Sequence, residues 1–427
     1  MTIQLPLNHT HFSLDASGVA GFFGGDEAVS AMATVHIYEG RKWLGWYNSP
    51  GSYNIAKRYG QLSSSRFWQG LFPGVNVDPA ALFELDGQNG PKYQAAHSGT
   101  ILERTGHLGF LFSTHCQRLQ PQEIEGRRTS ASAVTIALLN TVPDFSFHPK
   151  SPRSFAVLLA SIPIIASIST CIVCAIVRDW FCFAMILLGI VVNGVSCFVI
   201  GSGVLTFTHP TPAPTSPPGD GLLVTDDGVV VLRGAEGAVN AITRGRFMLR
   251  FKSENEYNDI GASAILLIIQ FIAQLLLIPQ GTLFGQLMFL ASLAVSWAYS
   301  LFLSAIDKSD LQIGILLSIM ECPPLYRFIL GTRTSMAVFA ALALQHPNPT
   351  ELFEQLIPNK TETWKTWRRI VAQKIKDGKE LVFDESDWKF DQMSENDQKL
   401  LKTLYSDAEE AYNGYIKYLA DKMPSNV

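Results

Sequence analysis

Three long stretches of this chain contain no ionic side chain, and polar segments separate them. Asp, Glu, Lys and Arg are absent from 155–177, 181–219 and 260–306. A helix of about 20 apolar residues crosses the hydrocarbon core of a bilayer, which is about 30 Å thick. The pattern therefore predicts transmembrane helices, and the turns within these stretches determine how many.

The first two spans are predicted within 154–207. The run Ser154–Val177 is followed by Arg178-Asp179-Trp180, and a second apolar run then continues to Phe207. An aromatic ring such as that of Trp180 suits the headgroup level, where it is partly hydrated. One continuous helix through both runs would be far longer than a bilayer is thick. We therefore expect a tight transmembrane hairpin.

A second transmembrane hairpin is predicted within 260–306, which is about twice the length of one span. Pro279-Gln280-Gly281-Thr282 interrupts this stretch near its middle. Proline lacks a backbone N–H and disfavours helical geometry in the preceding residue, and glycine permits unusual backbone angles. The expected spans are Gly261–Ile278 and Leu283–Ile306.

Segment 307–427 is predicted to hold interfacial and amphipathic helices. Leu311–Met320 is too short to span a bilayer, and Phe328–Leu344 contains Arg333. A charge inside the hydrocarbon is costly, which favours interfacial or packed helices here over a re-entrant or spanning segment. From about Ser394, a tyrosine-rich apolar face predicts a last helix, which needs a partner within the chain or on another protein.

A basic amphipathic helix precedes this last helix. Apolar residues recur at helical spacing after Thr361, and Lys and Arg fill most of the other positions. The pattern is typical of a helix bound to a membrane surface, but a helix buried against the spans or the N-terminal domain has the same pattern. The residues expected at the membrane surface are Trp364, Trp367, Arg368 and Arg369.

The remaining polar regions are 1–149 and 208–259. In the first, Ala33–Tyr38 has the β-branched and aromatic content of a strand, and the rest is expected to be mixed or partly disordered. In the second, a proline-rich linker precedes two β-type runs around Asp227-Gly228, which predict a small β-hairpin module. Its basic end is either the ordinary flank of a span or a set of contacts for an anion or headgroup: Arg244, Arg246 and Arg250.

Composition and charge agree with a membrane protein. Hydrophobic residues make up 47% of the chain and charged residues 16%, below the roughly 25% of soluble domains. Lys and Arg concentrate before 154 and before 260, and Arg178 is the only one on the opposite side. The positive-inside rule therefore places both termini and the central loop in the cytoplasm. A net charge of −4 does not indicate nucleic-acid binding.

These patterns predict a mainly α polytopic membrane protein. Its two transmembrane helical hairpins provide four spans, with a small β-containing cytoplasmic insert and a helical cytoplasmic tail. Polar residues inside the predicted spans are the candidates for a site: Asn193, Gln270, Gln274 and Gln286. Hydrogen bonds between helices are the simpler role for them, and a polar path for a solute is the alternative.

No sequence pattern predicts a catalytic set, a cofactor or a metal site. The histidines are dispersed, and the catalytic motifs of known spacing are missing. Cys171 and Cys174 have C-x-x-C spacing, but they lie in an apolar run, where a thiol behaves as a small hydrophobic group.

Three segments carry a resemblance to known sequences. They are EGAVNAITRGRF (236–247), QLLLIPQGTLFGQLMFLASLAVSWAYS (274–300) and LGTRTSMAVFAALAL (330–344). In this order they resemble segments of uncharacterised multi-span membrane proteins of basidiomycete fungi, over roughly 150–375. The resemblance implies a fungal, membrane-embedded protein and implies no activity, cofactor or catalytic residue.

Three functions stay open at this point. The leading hypothesis is a non-enzymatic membrane-anchored scaffold or interaction protein, whose C-terminal helices bind a protein partner. The first alternative is a small transporter or channel lined by the intramembrane Asn and Gln residues. The second is a membrane enzyme acting on lipid at the cytoplasmic face, where the nearby carboxylates are Asp307, Asp310 and Glu321. The lipid bilayer is the partner common to all three.

Overall fold

The structure, a computed structural model, describes residues 23–38, 40–63, 66–73, 78–142, 146–147, 158–251, 254–390 and 393–422. Contacts divide the chain into two units. The helical unit comprises Met1–Gly87, Ser146–Phe207 and Phe247–Ile315, and the α/β unit comprises Gln88–Phe145, Thr208–Arg246 and Leu316–Val427. Each unit therefore combines three separate parts of the sequence.

Helices dominate the secondary structure, at 59% of residues, which confirms a mainly α protein. The described helices are α1 (Gly25–Met32), α2 (Thr34–Ile37), α3 (Ser52–Gly60), α4 (Arg66–Leu71), α5 (Pro79–Leu82), α6 (His107–Arg118), α7 (Ser161–Ile176), α8 (Trp180–Ile200), α9 (Glu236–Thr243), α10 (Glu254–Leu277), α11 (Leu283–Ser304), α12 (Lys308–Ile319), α13 (Arg333–Leu344), α14 (Pro349–Leu356), α15 (Glu362–Lys376), α16 (Glu385–Trp388) and α17 (Glu395–Lys422). The strands are β1 (Lys92–Ala95), β2 (Ile101–Leu102), β3 (Gln122–Glu123), β4 (Ser132–Leu139), β5 (Ser146–Phe147), β6 (Val204–Thr208), β7 (Gly221–Thr225), β8 (Gly228–Gly234), β9 (Arg246–Arg250) and β10 (Leu325–Leu330).

Three helices of the helical unit are long and apolar enough to cross a membrane. These candidate spans are Trp180–Ile200, Tyr257–Gln280 and Leu283–Ser304. The chain turns between the last two through a short 3-10 helix, Ile278–Gln280, at the predicted interruption. α7 is apolar but only 16 residues long, and the start of the span expected at 154–177 lies outside the described residues.

The helical unit carries apolar side chains outside and polar side chains inside. On α7, Ile165 is 63% exposed whereas Ser167 is 0% exposed. On α10, Leu276 is 62% exposed whereas Gln274 is 0% exposed. A water-soluble bundle has the opposite distribution, because burial of apolar surface drives folding in water. This arrangement therefore fits helices surrounded by lipid.

Part of the predicted N-terminal region packs among the long helices. Sequence patterns treat 1–149 as one cytoplasmic region, but the structure divides it between the two units. α1 packs against α11, and α3 packs against α10. The strand prediction for Ala33–Tyr38 is wrong, since these residues form α2 and its flanks. All four α2 residues are buried, and such tertiary packing overrides the weak β preference of Val and Ile.

The α/β unit contains a seven-stranded mixed sheet in the order β2-β1-β7-β8-β4-β10-β3. The predicted hairpin is confirmed, because β7 and β8 pair antiparallel with Thr225 opposite Gly228. It does not form a separate small module, since β1 flanks β7 and β4 pairs in parallel with β8. The sheet unites strands from all three parts of the unit.

Helices bury the central strands of this sheet. Val229 and Val231 on β8 belong to the same buried cluster as α13, and the alternate residues Val230 and Leu232 are also buried. Alternate strand residues point to opposite faces, so both faces are covered. α13 contacts β4, β8 and α17, and burial on nearly all its sides explains why it is apolar all round.

The C-terminal region differs from the predicted set of interfacial helices. Residues 325–330 form β10, which pairs with β4 over its whole length. Trp367 on α15 is fully buried and donates from Nε1 to Leu404 O at 3.1 Å, so it does not contact a membrane surface. Arg368 is also buried, Trp364 is half-buried, and only Arg369 of the predicted surface set is exposed. α15 is thus buried within the chain, but it packs on α17 rather than on the spans or the N-terminal region, where the alternative interpretation places it.

Candidate functional site

A loop of the N-terminal segment enters the helical unit between the long helices. We call residues 44–51 the inserted loop. Asn193 on α8 donates from Nδ2 to Gly45 O at 2.6 Å. At the other end, Gly51 has a φ of 70°, a left-handed conformation that glycine adopts without strain, and α3 begins directly after it. The loop therefore ends at α3, which packs against α10.

Asn48 lies in the middle of the inserted loop, and it is 0% exposed. Its backbone N–H donates to Ser167 Oγ on α7 at 3.0 Å, and its Nδ2 donates to Ser292 Oγ on α11 at 2.8 Å. A Cβ at Gly189 on α8 would overlap Asn48 Oδ1. Gly189 and Ser292 lie near the middle of their helices, so Asn48 occupies the mid-depth of the bundle.

The glutamines singled out from the sequence are buried, but they occupy different places. Gln270 donates from Nε2 to Gln274 Oε1 at 3.4 Å, and Gln274 donates from Nε2 to Met185 O on α8 at 3.3 Å. Gln286 lies at the start of α11, where its Nε2 donates to Gly281 O at 3.1 Å. The first pair joins the core around Asn48, because Gln274 Nε2 is also 3.3 Å from the Cβ position of Gly189.

Several buried polar atoms of the helical unit have no hydrogen-bond partner among the described residues. Native proteins leave few such atoms, since more than about nine in ten buried polar groups are paired. Besides atoms of His36, Arg41, Ser52 and Tyr59, they include six on amide and hydroxyl side chains: Asn48 Oδ1, Asn193 Oδ1, Ser196 Oγ, Gln270 Oε1, Gln286 Oε1 and Ser296 Oγ. We call the six side chains named last, with Gln274, the polar core. Its carbonyl acceptors and hydroxyl donors match a small polar molecule that can both donate and accept.

Arg41 adds a buried cation to the same unit. It is 1% exposed, and its guanidinium donates to Tyr47 OH at 3.0 Å and to Leu44 O at 3.2 Å. The guanidinium lies 5.9 Å from the ring centre of Tyr47 and 5.3 Å from that of Tyr299. Within the described chain, no carboxylate pairs with Arg41 and its Nε has no partner. Cation–π contacts contribute about 2 kcal/mol when desolvated, less than the several kcal/mol that burying an ion costs.

Neither of these central residues follows from the sequence patterns. Asn48 lies in Asn48-Ser-Pro-Gly-Ser52, which has the composition of an ordinary surface turn. Arg41 lies in a mixed polar stretch without a hydrophobic period. One signal could have indicated these two residues. The sequence combines a polar stretch without hydrophobic period with four apolar helices that carry Ser, Asn and Gln, and these helix residues need polar partners.

The other predicted contacts do not come together in a site. Arg244, Arg246 and Arg250 are exposed, and Arg250 belongs to the helical unit whereas the other two belong to the α/β unit. The proposed carboxylates of a lipid enzyme have structural roles: Asp307 accepts from Ser309 N at 2.8 Å and Glu321 from Thr141 Oγ1 at 2.8 Å. Within the described ranges, no group of three His, Cys, Asp or Glu side chains could hold a metal ion.

The α/β unit has open cavities of its own. One, of about 550 Å³, lies beside the β7–β8 turn and includes Arg327, Arg333, Asp226 and Asp227. Another, of about 730 Å³, lies between the edge strand β3 and α17. The first mixes both charge signs, and neither contains an arrangement of nucleophile, base and oxyanion donors.

Comparisons with protein-family models, with curated proteins and with solved structures find no match to this chain. The resemblance over 150–375 therefore stays a prediction.

Proposed function

We propose that this protein is an integral membrane protein that passes a small polar solute along the polar core of the helical unit. The orientation we propose places both termini and the α/β unit in the cytoplasm, on the basis of the Lys and Arg flanks. Of the functions considered from the sequence, we thus propose the transporter ahead of the scaffold.

The observation that carries the proposal is the position of Asn48. A loop that enters a bundle of apolar helices is tolerated at membrane depth only where it is buried in protein or lines a polar cavity. Asn48 is held there by Ser167 and Ser292, and its Oδ1 remains without a partner among the described residues. Structural hydrogen bonds alone would satisfy such atoms, whereas the polar core leaves acceptors and hydroxyls for a passing molecule.

The absence of ionic residues from 181–219 and 260–306 argues against a proton relay along the long helices. It does not argue against a neutral solute or an anion, and Arg41 supplies the cation from outside these stretches. The proposed path therefore uses amide and hydroxyl groups, with one charge contributed by the N-terminal segment.

The test is solute flux in liposomes that contain the purified full chain. Reswelling is followed by light scattering after osmotic shock with glycerol, urea, potassium chloride or potassium formate, with valinomycin present for the salts. We expect Gln270→Leu and Asn48→Leu to abolish the flux that the unchanged protein supports. Ser263→Ala is the matched control, because Ser263 is buried on α10 but bonds only to Ile260 O of its own helix. Correctly folded variants with undiminished flux, or no flux in the unchanged protein, would refute the proposal.

A second candidate function is the membrane-anchored interaction protein. The groove between β3 and α17 favours it, because an edge strand has unpaired backbone groups that a partner strand can use. Carboxylates predominate there, including Glu123, Glu125, Glu410 and Asp421, so a basic segment is the expected partner. Gly414 contacts Ile124, and Gly414→Trp would fill this groove. Loss of a captured partner with this variant, and retention with Gly314→Trp, would support the second function.

A further inference from the structure

We propose that Arg41 is the centre of a binding site for a small monovalent anion, of the size of chloride or formate. The inference deepens the proposed function, on which its transport part rests, because it names the class of solute. Binding of the anion stands on the geometry around Arg41 and is measured separately.

The charge of the Arg41 side chain favours an anion as the ligand. An arginine side chain stays protonated even when it is buried. The groups in contact with this guanidinium are a carbonyl and two tyrosines, Tyr47 and Tyr299, and none of them carries a negative charge at neutral pH. No described carboxylate forms an ion pair with Arg41, so the described residues leave its charge unbalanced. An anion seated beside the guanidinium would balance it.

The hydrogen-bond donors of Arg41 that remain unpaired also favour an anion. Guanidinium has five N–H donors, and the structure pairs Nη1 with Leu44 O and Nη2 with Tyr47 OH. The Nε–H is buried and has no partner among the described residues. Tyr47 accepts from Arg41 and is also hydrogen-bonded to the side chain of Asn193, so the Nε–H is the unpaired donor at this place. An unpaired N–H on a cation suits an anion and does not suit a cation.

The surroundings of Arg41 limit the size and charge of the ligand. Arg41 is 1% exposed, and the rings of Tyr47 and Tyr299 lie side by side against its guanidinium, so a ligand as large as a phosphate ester would have to displace side chains. The adjacent cation, Lys42, is directed elsewhere, with its Nζ 5.8 Å from the ring centre of Trp43. One buried positive charge therefore matches one negative charge on a compact ion.

Anion binding is tested on the purified full chain in detergent. The unfolding temperature is measured against increasing potassium chloride or formate, with potassium gluconate keeping the ionic strength constant. We expect a saturable rise for the unchanged protein and for Lys42→Met, which removes a neighbouring charge. Arg41→Met should show no rise. Arg41→Lys keeps the charge but lacks the Nε–H, and its apparent affinity should fall at least tenfold.

The outcomes separate this inference from the proposed function. An equal rise in Arg41→Met, or no rise in the unchanged protein, overturns the anion site. If Arg41→Met fails to fold, the Arg41→Lys titration decides, since unaltered affinity there also overturns the site. Saturable binding without flux of any of the four solutes supports the site and refutes transport. Flux of glycerol without anion stabilisation retains the proposed function and refutes the anion site.

Discussion

Asp179 and Thr282 join the two turns at one end of the helical unit. Asp179 Oδ2 accepts from the backbone N and from the Oγ1 of Thr282, each at 2.7 Å. Its Oδ1 accepts from Cys182 N at 3.1 Å and so caps α8. A carboxylate that is only 4% exposed therefore holds the turn before α8 to the turn before α11.

Removal of this carboxylate should destabilise the helical unit. Asp179→Ala leaves the buried N–H of Cys182 unpaired and removes the acceptor for both donors of Thr282, so we expect a loss of about 3 kcal/mol in the free energy of unfolding. Unfolding by SDS in mixed micelles, followed by tryptophan fluorescence, measures it. Asp78→Ala is the control, because Asp78 caps the short helix α5 from an exposed position, and its loss should be about 1 kcal/mol. Equal losses for the two variants would contradict the role of Asp179.

Gly189 should not accept a side chain, because its Cβ would overlap Asn48 Oδ1 and approach Gln274 Nε2. We expect Gly189→Ala to cost about 2 kcal/mol of unfolding free energy through overpacking, and to reduce solute flux. Gly314→Ala is the matched helical control, since nothing lies within 4 Å of its Cβ position. That change should stabilise the protein by up to about 1 kcal/mol, as alanine favours helix. A Gly189→Ala protein as stable as Gly314→Ala would show that Asn48 is not packed as described.

The stability of the helical unit should fall in mild acid because of His36. Burial lowers the pKa of His36 from 6.5 to about 4, with an opposing contribution from its contact with Gly203 O. The unfolded chain therefore binds a proton between pH 6.5 and pH 4 that the folded chain excludes, so stability is lost as pH falls through this window. The loss should approach about 3 kcal/mol, and His36→Gln should lose correspondingly less between pH 7 and pH 4. Parallel pH profiles for the two proteins would contradict this assignment.

A single cysteine should report the side of the membrane on which the α/β unit lies. Cys322 is exposed, whereas the other five cysteines are buried. Burial raises the pKa of the Cys116 thiol, which further slows its reaction. A membrane-impermeant maleimide added to intact cells should label the protein only after permeabilisation, and Cys322→Ser should remove that labelling. Labelling of Cys322 in intact cells would reverse the proposed orientation.

Local chemistry made some parts of this structure predictable. The turn at Pro279–Gly281 and the hairpin at 221–234 depend on residues adjacent in sequence, and both occur as predicted. The partners of β4 and β8 are distant in sequence, so no local pattern identifies the sheet. A helix such as α15 has the same amphipathic period on a membrane surface and in a protein interior. The hydrogen bond from Trp367 to Leu404 O, which joins α15 to α17, shows that this helix is in the interior.

The polar core was predictable in part, and Arg41 was not predictable. Asn193, Gln270 and Gln274 are visible as polar positions in apolar helices, and the structure buries each of them. Asn48 and Arg41 come from a segment without hydrophobic periodicity, whose place depends on contacts across the whole helical unit. Their burial is a tertiary result, which composition does not encode.

The separation of 244 positions between Asn48 and Ser292 constrains how the protein is made. Residues near the N-terminus leave the ribosome long before the helix that completes their surroundings. Until α11 has been released into the bilayer, the inserted loop lacks its partner Ser292. Its amide groups therefore stay hydrated outside the membrane until then. Assembly of the membrane part is thus necessarily a late event of synthesis, and shortened chains that stop before 283 should expose this segment to proteases.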